Sequence, residues 1–265
     1  MNSASTRAIL GVVGGLGPLA SAEFLKTIYE YSLAGREQES PIVMLLSDPT
    51  YPDRTSEFLR ESYDDLLGRL IQSLCHLREL GASNVVICCI TCHYLLPRVP
   101  TELRKRIISL LDVIFERILR VRKRHLLFCS NGTRKMRLFE THEHWPAAKK
   151  FIVLPDEEDQ EAIHELIYDH IKINKDVRTL LPTFEALMAK YEVDRFIAGC
   201  TEIHLPAKQF EISNGNNHKG YSCVDPLTII AKEIAKGNYE LSKCSGDVSR
   251  SGYTVQRPHR DRLCE

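Results

Sequence analysis

The stretch ICCITCHYLL, residues 87–96, holds Cys88, Cys89, Cys92 and His93 within six positions. Cysteine can be a soft metal ligand, half of a disulfide or, as a thiolate, a base or nucleophile. Residues 89–93 also spell C-x-x-C-H, the string that attaches haem to exported chains. Zinc would need two further ligands at short spacing. The chain has no second C-x-x-C, so Cys200 and His204 would have to be assembled with the first pair in space. A redox dithiol of Cys89 with Cys92 is open too, but it leaves Cys200 unexplained.

The elements around these residues narrow the choice. AILGVV, PIVMLLS, NVVICC, HLLFCS, KKFIVL and DRFIAGC are short apolar runs, each predicted to be a buried strand. Between them lie helical periods at 21–33, 55–80, 101–122, 157–172, 177–191 and 225–237. Ser21 is the predicted N-cap of the first. Alternating strands and helices predict an α/β protein of two similar domains, each a mostly parallel sheet flanked by helices. The predicted first domain is 1–100 plus about 208–240 and the second is 101–207, with a polar, weakly ordered tail at 241–265. NVVICC and DRFIAGC both place a cysteine where a strand gives way to a loop, and ligands of parallel sheets sit beyond those strand ends. Cys89 and Cys200 therefore occupy corresponding positions in two halves, facing one interdomain cleft. Two opposed thiols suit stereochemical inversion: one takes a proton from a carbon acid and the other returns one to the opposite face. Cys88 reads as a core strand residue.

The glycine motif admits a rival. Gly15-Leu16-Gly17-Pro18-Leu19-Ala20 follows a strand, opens a helix and matches the alanine variant of the dinucleotide fingerprint, with Asp48 placed like the ribose-binding acid. Pro18 removes an N–H where phosphate wants a donor. A chain that only binds an acidic amino acid and reports it is the third class. His93 and His204, each four residues beyond a cysteine, read as structural histidines at helix starts.

Taken in order, G-G-L-G-P-L-A at 14–20, P-D-R-T at 52–55, C-I-T-C-H at 89–93, N-G-T at 131–133, P-D-E-E-D-Q at 155–160, I-Y-D-H-I-K at 167–172, G-C-T-E-I at 199–203 and D-P at 225–226 resemble the aspartate/glutamate racemase superfamily. Those enzymes need no pyridoxal phosphate, and the chain is most similar to the aspartate racemases. The resemblance implies Cys89 and Cys200 as the acid/base pair, and no cofactor and no metal. It implies that Arg54 binds the substrate's side-chain carboxylate with Lys172 as a second cation; Lys175 is close by in sequence. Thr91, Ser130, Thr133 and Thr201 resemble the family's contacts to the α-carboxylate and α-amino group. Gly15 and Leu16 would bring backbone close to a small amino acid. Ile90 departs from the family's usual C-N-T-x-H, and Cys92 fills the x position. Glutamate is the alternative substrate to aspartate, and the family's arrangement suggests a homodimer. The aspartate-racemase-like set includes enzymes of nonribosomal peptide pathways such as that of microcystin.

Totals exclude other classes. The chain has 265 residues, 43% of them hydrophobic, with 35 basic against 35 acidic side chains. No basic excess points to nucleic acid and no apolar run is long enough for a membrane span. AILGVV with the following glycines reads as a strand and turn rather than a signal peptide. Nine cysteines is an odd number. Cys75, Cys88, Cys129 and Cys223 lie in or near apolar segments, so the sequence predicts a reduced, cytoplasmic protein.

Overall fold

The structure is a computed structural model that describes residues 8–33, 36–214 and 220–237. The tail at 241–265 lies outside the described residues. Two four-stranded, wholly parallel sheets form the frame. In the first, β1 (Ile9–Gly14), β2 (Ile42–Ser47), β3 (Asn84–Ile87) and β4 (Ile107–Ile108) lie in the order β2-β1-β3-β4. In the second, β5 (His125–Phe128), β6 (Ile152–Val153), β7 (Arg195–Ala198) and β8 (Ser222–Val224) lie in the order β6-β5-β7-β8.

The two orders are one topology used twice. In each sheet the chain leaves the first strand toward one edge and the third strand toward the other, so the switch point falls between those two strands. A crevice opens there at the carboxyl ends. Gly15 and Cys89 follow β1 and β3; Ser130 and Cys200 lie beyond β5 and β7. The register is fixed by β1 against both neighbours, Val12 facing Leu45 on one side and Val86 on the other.

The pleat separates the neighbouring cysteines. Successive strand side chains point to opposite faces. Leu10, Val12, Val86 and Cys88 enter an apolar layer shared by both sheets, which Leu127, Cys129, Ile197 and Val224 enter from the other side. Val13, Val85, Ile87 and Cys89 face the outer core of the first sheet; Leu126, Phe128, Phe196 and Cys200 face that of the second. Cys88 is thus a core residue, fully enclosed, and burial pushes its thiol pKa up. Cys88, Cys129 and Cys223 are free thiols. Cys75 departs from the free-thiol expectation: it is disulfide-bonded.

Several predicted helices are subdivided. The run 55–80 breaks into Arg54–Leu59 and Asp64–Glu79 around Glu61, whose φ is +56°. The run 101–122 yields Thr101–Arg104, then β4, then Leu110–Val121, which Ser109 caps by accepting from Asp112 N. β4 and β8 are not among the predicted strands, nor is His204–Asn214 among the predicted helices. β4 lies past Pro100 and pairs with the first sheet, while β8 lies within 208–240 and pairs with the second. The helix Pro226–Ala235 returns to pack on Pro18–Ser32 of the first half.

Candidate active site

Cys89 and Cys200 are 8% and 9% exposed, each just past the end of its strand. The Thr201 hydroxyl donates to the Cys88 carbonyl at 3.2 Å, tying the end of β7 to that of β3. The sulfurs face unlike partners. The Cys92 thiol hydrogen-bonds to Cys89, and together with the Arg54 charge it holds the Cys89 pKa at about 6, against the upward push of burial. In this pair the negative charge belongs on Cys89, because Cys92 is wholly enclosed and its thiol is driven well above the usual range. Cys200 is also driven well above that range, first by burial and then by the Glu202 carboxylate, with Lys172 acting the other way.

Arg54 opens a helix capped by Asp53, whose side chain accepts from Ser56 N at 2.9 Å. Its guanidinium donates to the carbonyls of Leu16 and Pro52. Burial acts to lower the Arg54 pKa; the negative charge of the Cys89–Cys92 pair, with those of Glu202 and Asp53, outweighs it and raises it. Lys172 follows a π-helical turn over Leu166–Ile171, a geometry that is rare and concentrated at functional sites. Its ammonium sits 3.7 Å from Asp53 Oδ2 and 3.4 Å from the centre of the Tyr168 ring. Lys175 is exposed, 3.4 Å from His170 Nδ1, so of the two lysines it is Lys172 that shares a cavity with Arg54.

That cavity, about 230 Å³, is lined by Gly15, Leu16, Gly17, Arg54, Lys172 and Glu202 among others. A larger one, about 520 Å³, lies between Leu110–Val121 and Pro226–Ala235 and contains no predicted site residue. The hydroxyls form a second group. Thr91 and Thr133 meet at 2.9 Å, and Ser130 lies 3.4 Å from Thr133. Of the predicted residues, Gly15, Leu16, Arg54 and Lys172 line the cavity; Cys89, Cys200, Thr91, Ser130, Thr133 and Thr201 are all buried and do not line it.

The glycine turn is filled rather than open. Gly15 has φ +82°, and a Cβ there would lie 2.3 Å from the Asp48 backbone, so Asp48 and the turn are packed together. Gly15 N–H donates to the Ser21 hydroxyl at 3.2 Å. Ser21 is therefore not the N-cap, which is Gly17, with Pro18 at the first helical position.

His93 is structural by its hydrogen bonds. Leu110 N–H donates to Nε2 at 3.0 Å, which leaves the proton on Nδ1, 3.0 Å from the Cys89 carbonyl. Burial lowers its pKa to about 4, so the ring is neutral and adds no charge beside Cys89. His204 is turned away from Cys200, toward Asp225 at 2.6 Å and Thr27 at 3.0 Å. Among the described residues no group of three His, Cys, Asp or Glu is placed to hold a metal ion, and no helix is long and apolar enough to cross a membrane.

Three residues were not among the sequence candidates. Tyr168 places its hydroxyl 2.9 Å from both Asp53 Oδ2 and Thr55 Oγ1, locking the Arg54 helix to the turn that carries Lys172. Asp53 caps that helix, and Glu202 touches Cys200. All three lie inside the family-like motifs, Asp53 in P-D-R-T, Tyr168 in I-Y-D-H-I-K and Glu202 in G-C-T-E-I, and that was their one signal in the sequence. Cys92 has a testable consequence. Cys92→Ala removes a hydrogen bond to the Cys89 thiolate, so the Cys89 pKa should rise from about 6. The acidic limb of any Cys89-dependent activity should move to higher pH, by about one unit; a limb that stays in place would show that Cys92 does not assist Cys89.

Two parallel sheets of matching topology, with a thiol beyond the third strand of each, define a two-domain α/β protein of the racemase type. The chain belongs to the Asp/Glu/hydantoin racemase family, whose model matches residues 13–234. Its fold is similar to that of the Picrophilus torridus aspartate racemase (20% identity, covering 86% of this chain and 94% of that one, TM-score 0.71). It is also similar to an aspartate racemase homologue from Pyrococcus horikoshii (19%, 86% and 98%, 0.59). The glutamate racemase of Francisella tularensis, solved with D-glutamate, shares the fold at 13% identity (88% and 81%, 0.53).

Proposed function

We propose that the protein interconverts L- and D-aspartate without a cofactor, using Cys89 and Cys200 as opposed acid and base. The observation that carries this is the unlike setting of two equivalent strand-end thiols: Cys89 beside a thiol donor and a guanidinium, Cys200 beside a carboxylate. A two-base inversion needs one thiolate and one thiol in the same site. Cys89, at about 6, supplies the base at neutral pH. Removal of the α-proton is the hard step, because the carbanion has no cofactor to delocalise into. Acid/base help supplies about 10²- to 10⁴-fold, and fixed donors in a water-poor site supply much of the rest.

In this reading Arg54 and Lys172 bind the side-chain carboxylate. Thr91, Ser130, Thr133 and Thr201 serve the α-carboxylate and α-amino group, with the Gly15–Leu16 backbone closing over the molecule. Both cations lining one cavity of about 230 Å³ suits a small dicarboxylate. Glutamate, one methylene longer, is the alternative substrate. The cytoplasm and a homodimeric state belong to the same proposal. A nicotinamide enzyme fits less well, since the Gly15 N–H that would meet a phosphate is spent on Ser21.

Incubation of L-aspartate with the protein in deuterated water, with no added cofactor, should yield D-aspartate carrying deuterium at Cα. Parallel incubation with L-glutamate ranks the substrates. Absence of α-deuterium from both enantiomers of both amino acids would sink the proposal.

A further inference from the structure

Glu202 stands beside Cys200 in the scheme above but was given no role of its own there, and its position is unusual. It is only 4% exposed, and burying a carboxylate is costly unless its oxygens are matched. Its Oε2 accepts from Cys200 Sγ at 2.8 Å and from the Thr201 hydroxyl at 3.3 Å. Its Oε1 packs against Gly17, where a Cβ would come within 2.4 Å. Gly17 caps the fifteen-residue helix Pro18–Ser32, so the carboxylate rests at the positive end of a helix dipole.

A sulfur and a carboxylate oxygen this close, in a buried setting, need a proton between them. Two negative charges at that separation would repel by several kcal/mol. The groups around Cys200 are Glu202, Lys172, Cys89 and Tyr168; those around Cys89 are Cys92, Arg54 and Glu202. One sulfur faces an acceptor and the other faces donors.

Resting on the two-cysteine reading above, we propose that Glu202 is a positioning residue that holds the thiol proton on Cys200, so the free site carries its proton at Cys200 and its negative charge at Cys89. In turnover the Cα–H bond breaks and its proton goes to the Cys89 thiolate. The carbanion electron pair then takes the proton of the Cys200 S–H on the opposite face. One proton enters and one leaves, and the negative charge ends on Cys200 beside Glu202. That form is disfavoured, and it relaxes by the reverse transfer with the other enantiomer or by exchange with water. The equilibrium constant of a racemisation is unity, so kcat/KM is equal for both enantiomers whatever Glu202 does. Its effect is legible in pH dependence instead.

The test compares wild type, Glu202→Gln and Gly17→Ala, with thermal unfolding as the control for folding. The first reading is the rate of Cys200 alkylation by iodoacetamide against pH, followed by peptide mass spectrometry, which needs no racemisation. In the wild type Cys89 should react at lower pH than Cys200. In Glu202→Gln the Cys200 profile should move to lower pH by about 1–3 units, with a smaller downward movement at Cys89. Gly17→Ala, which displaces Oε1 but keeps the glutamate, should move Cys200 the same way. The second reading is kcat/KM for L- and D-aspartate against pH, whose alkaline limb should move with the Cys200 profile. Unmoved Cys200 profiles in both variants overturn the proposal, as does activity that falls with no change in the shape of its pH profile. A wild type that alkylates as expected but exchanges no α-proton overturns the racemase reading and leaves the role of Glu202 standing.

Discussion

Alanine at Cys89 or at Cys200 is expected to lower aspartate racemisation by about 10²- to 10⁴-fold or more, the range a single positioned acid or base supplies. Both variants should lose both directions, because inversion needs a proton taken on one face and given on the other. The partial reactions should differ. With Cys200 replaced, Cys89 can still remove and return a proton on its own face, so one enantiomer should exchange its α-hydrogen with deuterated water without inverting. With Cys89 replaced, the other enantiomer should do so. Chiral chromatography coupled to mass spectrometry reads both quantities. Near-normal racemisation by either variant in both directions would remove that cysteine from the pair. The wild-type rate should fall as pH drops through about 6, since protonating Cys89 removes the base, and hold above it until Cys200 loses its proton at alkaline pH.

Arg54→Ala should weaken aspartate binding by about 2–5 kcal/mol, the cost of leaving a buried charge without its partner, or ~30-fold to several thousand-fold in Kd. The guanidinium is held in place before any ligand arrives, by the carbonyls of Leu16 and Pro52, so little ordering is lost when a carboxylate binds. Alanine, which lacks the side-chain carboxylate, should lose far less affinity in the same variant. Equal losses for the two amino acids would take Arg54 out of the side-chain subsite. Lysine at the same position should restore little, because an ammonium cannot keep two backbone acceptors and a carboxylate in one plane. The acidic limb of the rate profile should also move upward, because Arg54 is one of the groups holding Cys89 low. Calorimetric titration with aspartate and with alanine, alongside the rate profile, separates the two effects.

The residue series determined the α/β class and most of the strands. Short β-branched runs bounded by glycine and proline can bury themselves only in a covered parallel sheet. It also determined which cysteines reach the strand ends, since a period of two sends Cys88 and Cys89 to opposite faces. β4 and β8, only two and three residues long, carry no period of their own. Ile107 and Ile108 read as part of a helix until Ser109 caps the one that follows. The helix His204–Asn214, with Pro206 in its first turn, has no clear apolar face to announce it. Most of what surrounds each sulfur was decided by tertiary structure. The Cys92 thiol and the Arg54 charge come to Cys89 from the turn after β3 and from the start of another helix. Glu202 lies two residues from Cys200 and could have pointed anywhere until Gly17, far away in sequence, left room for its oxygen. Spacing along a chain fixes which residues share a face; charge acts through space, so the proton's place on one thiol rather than the other exists only once distant segments have met.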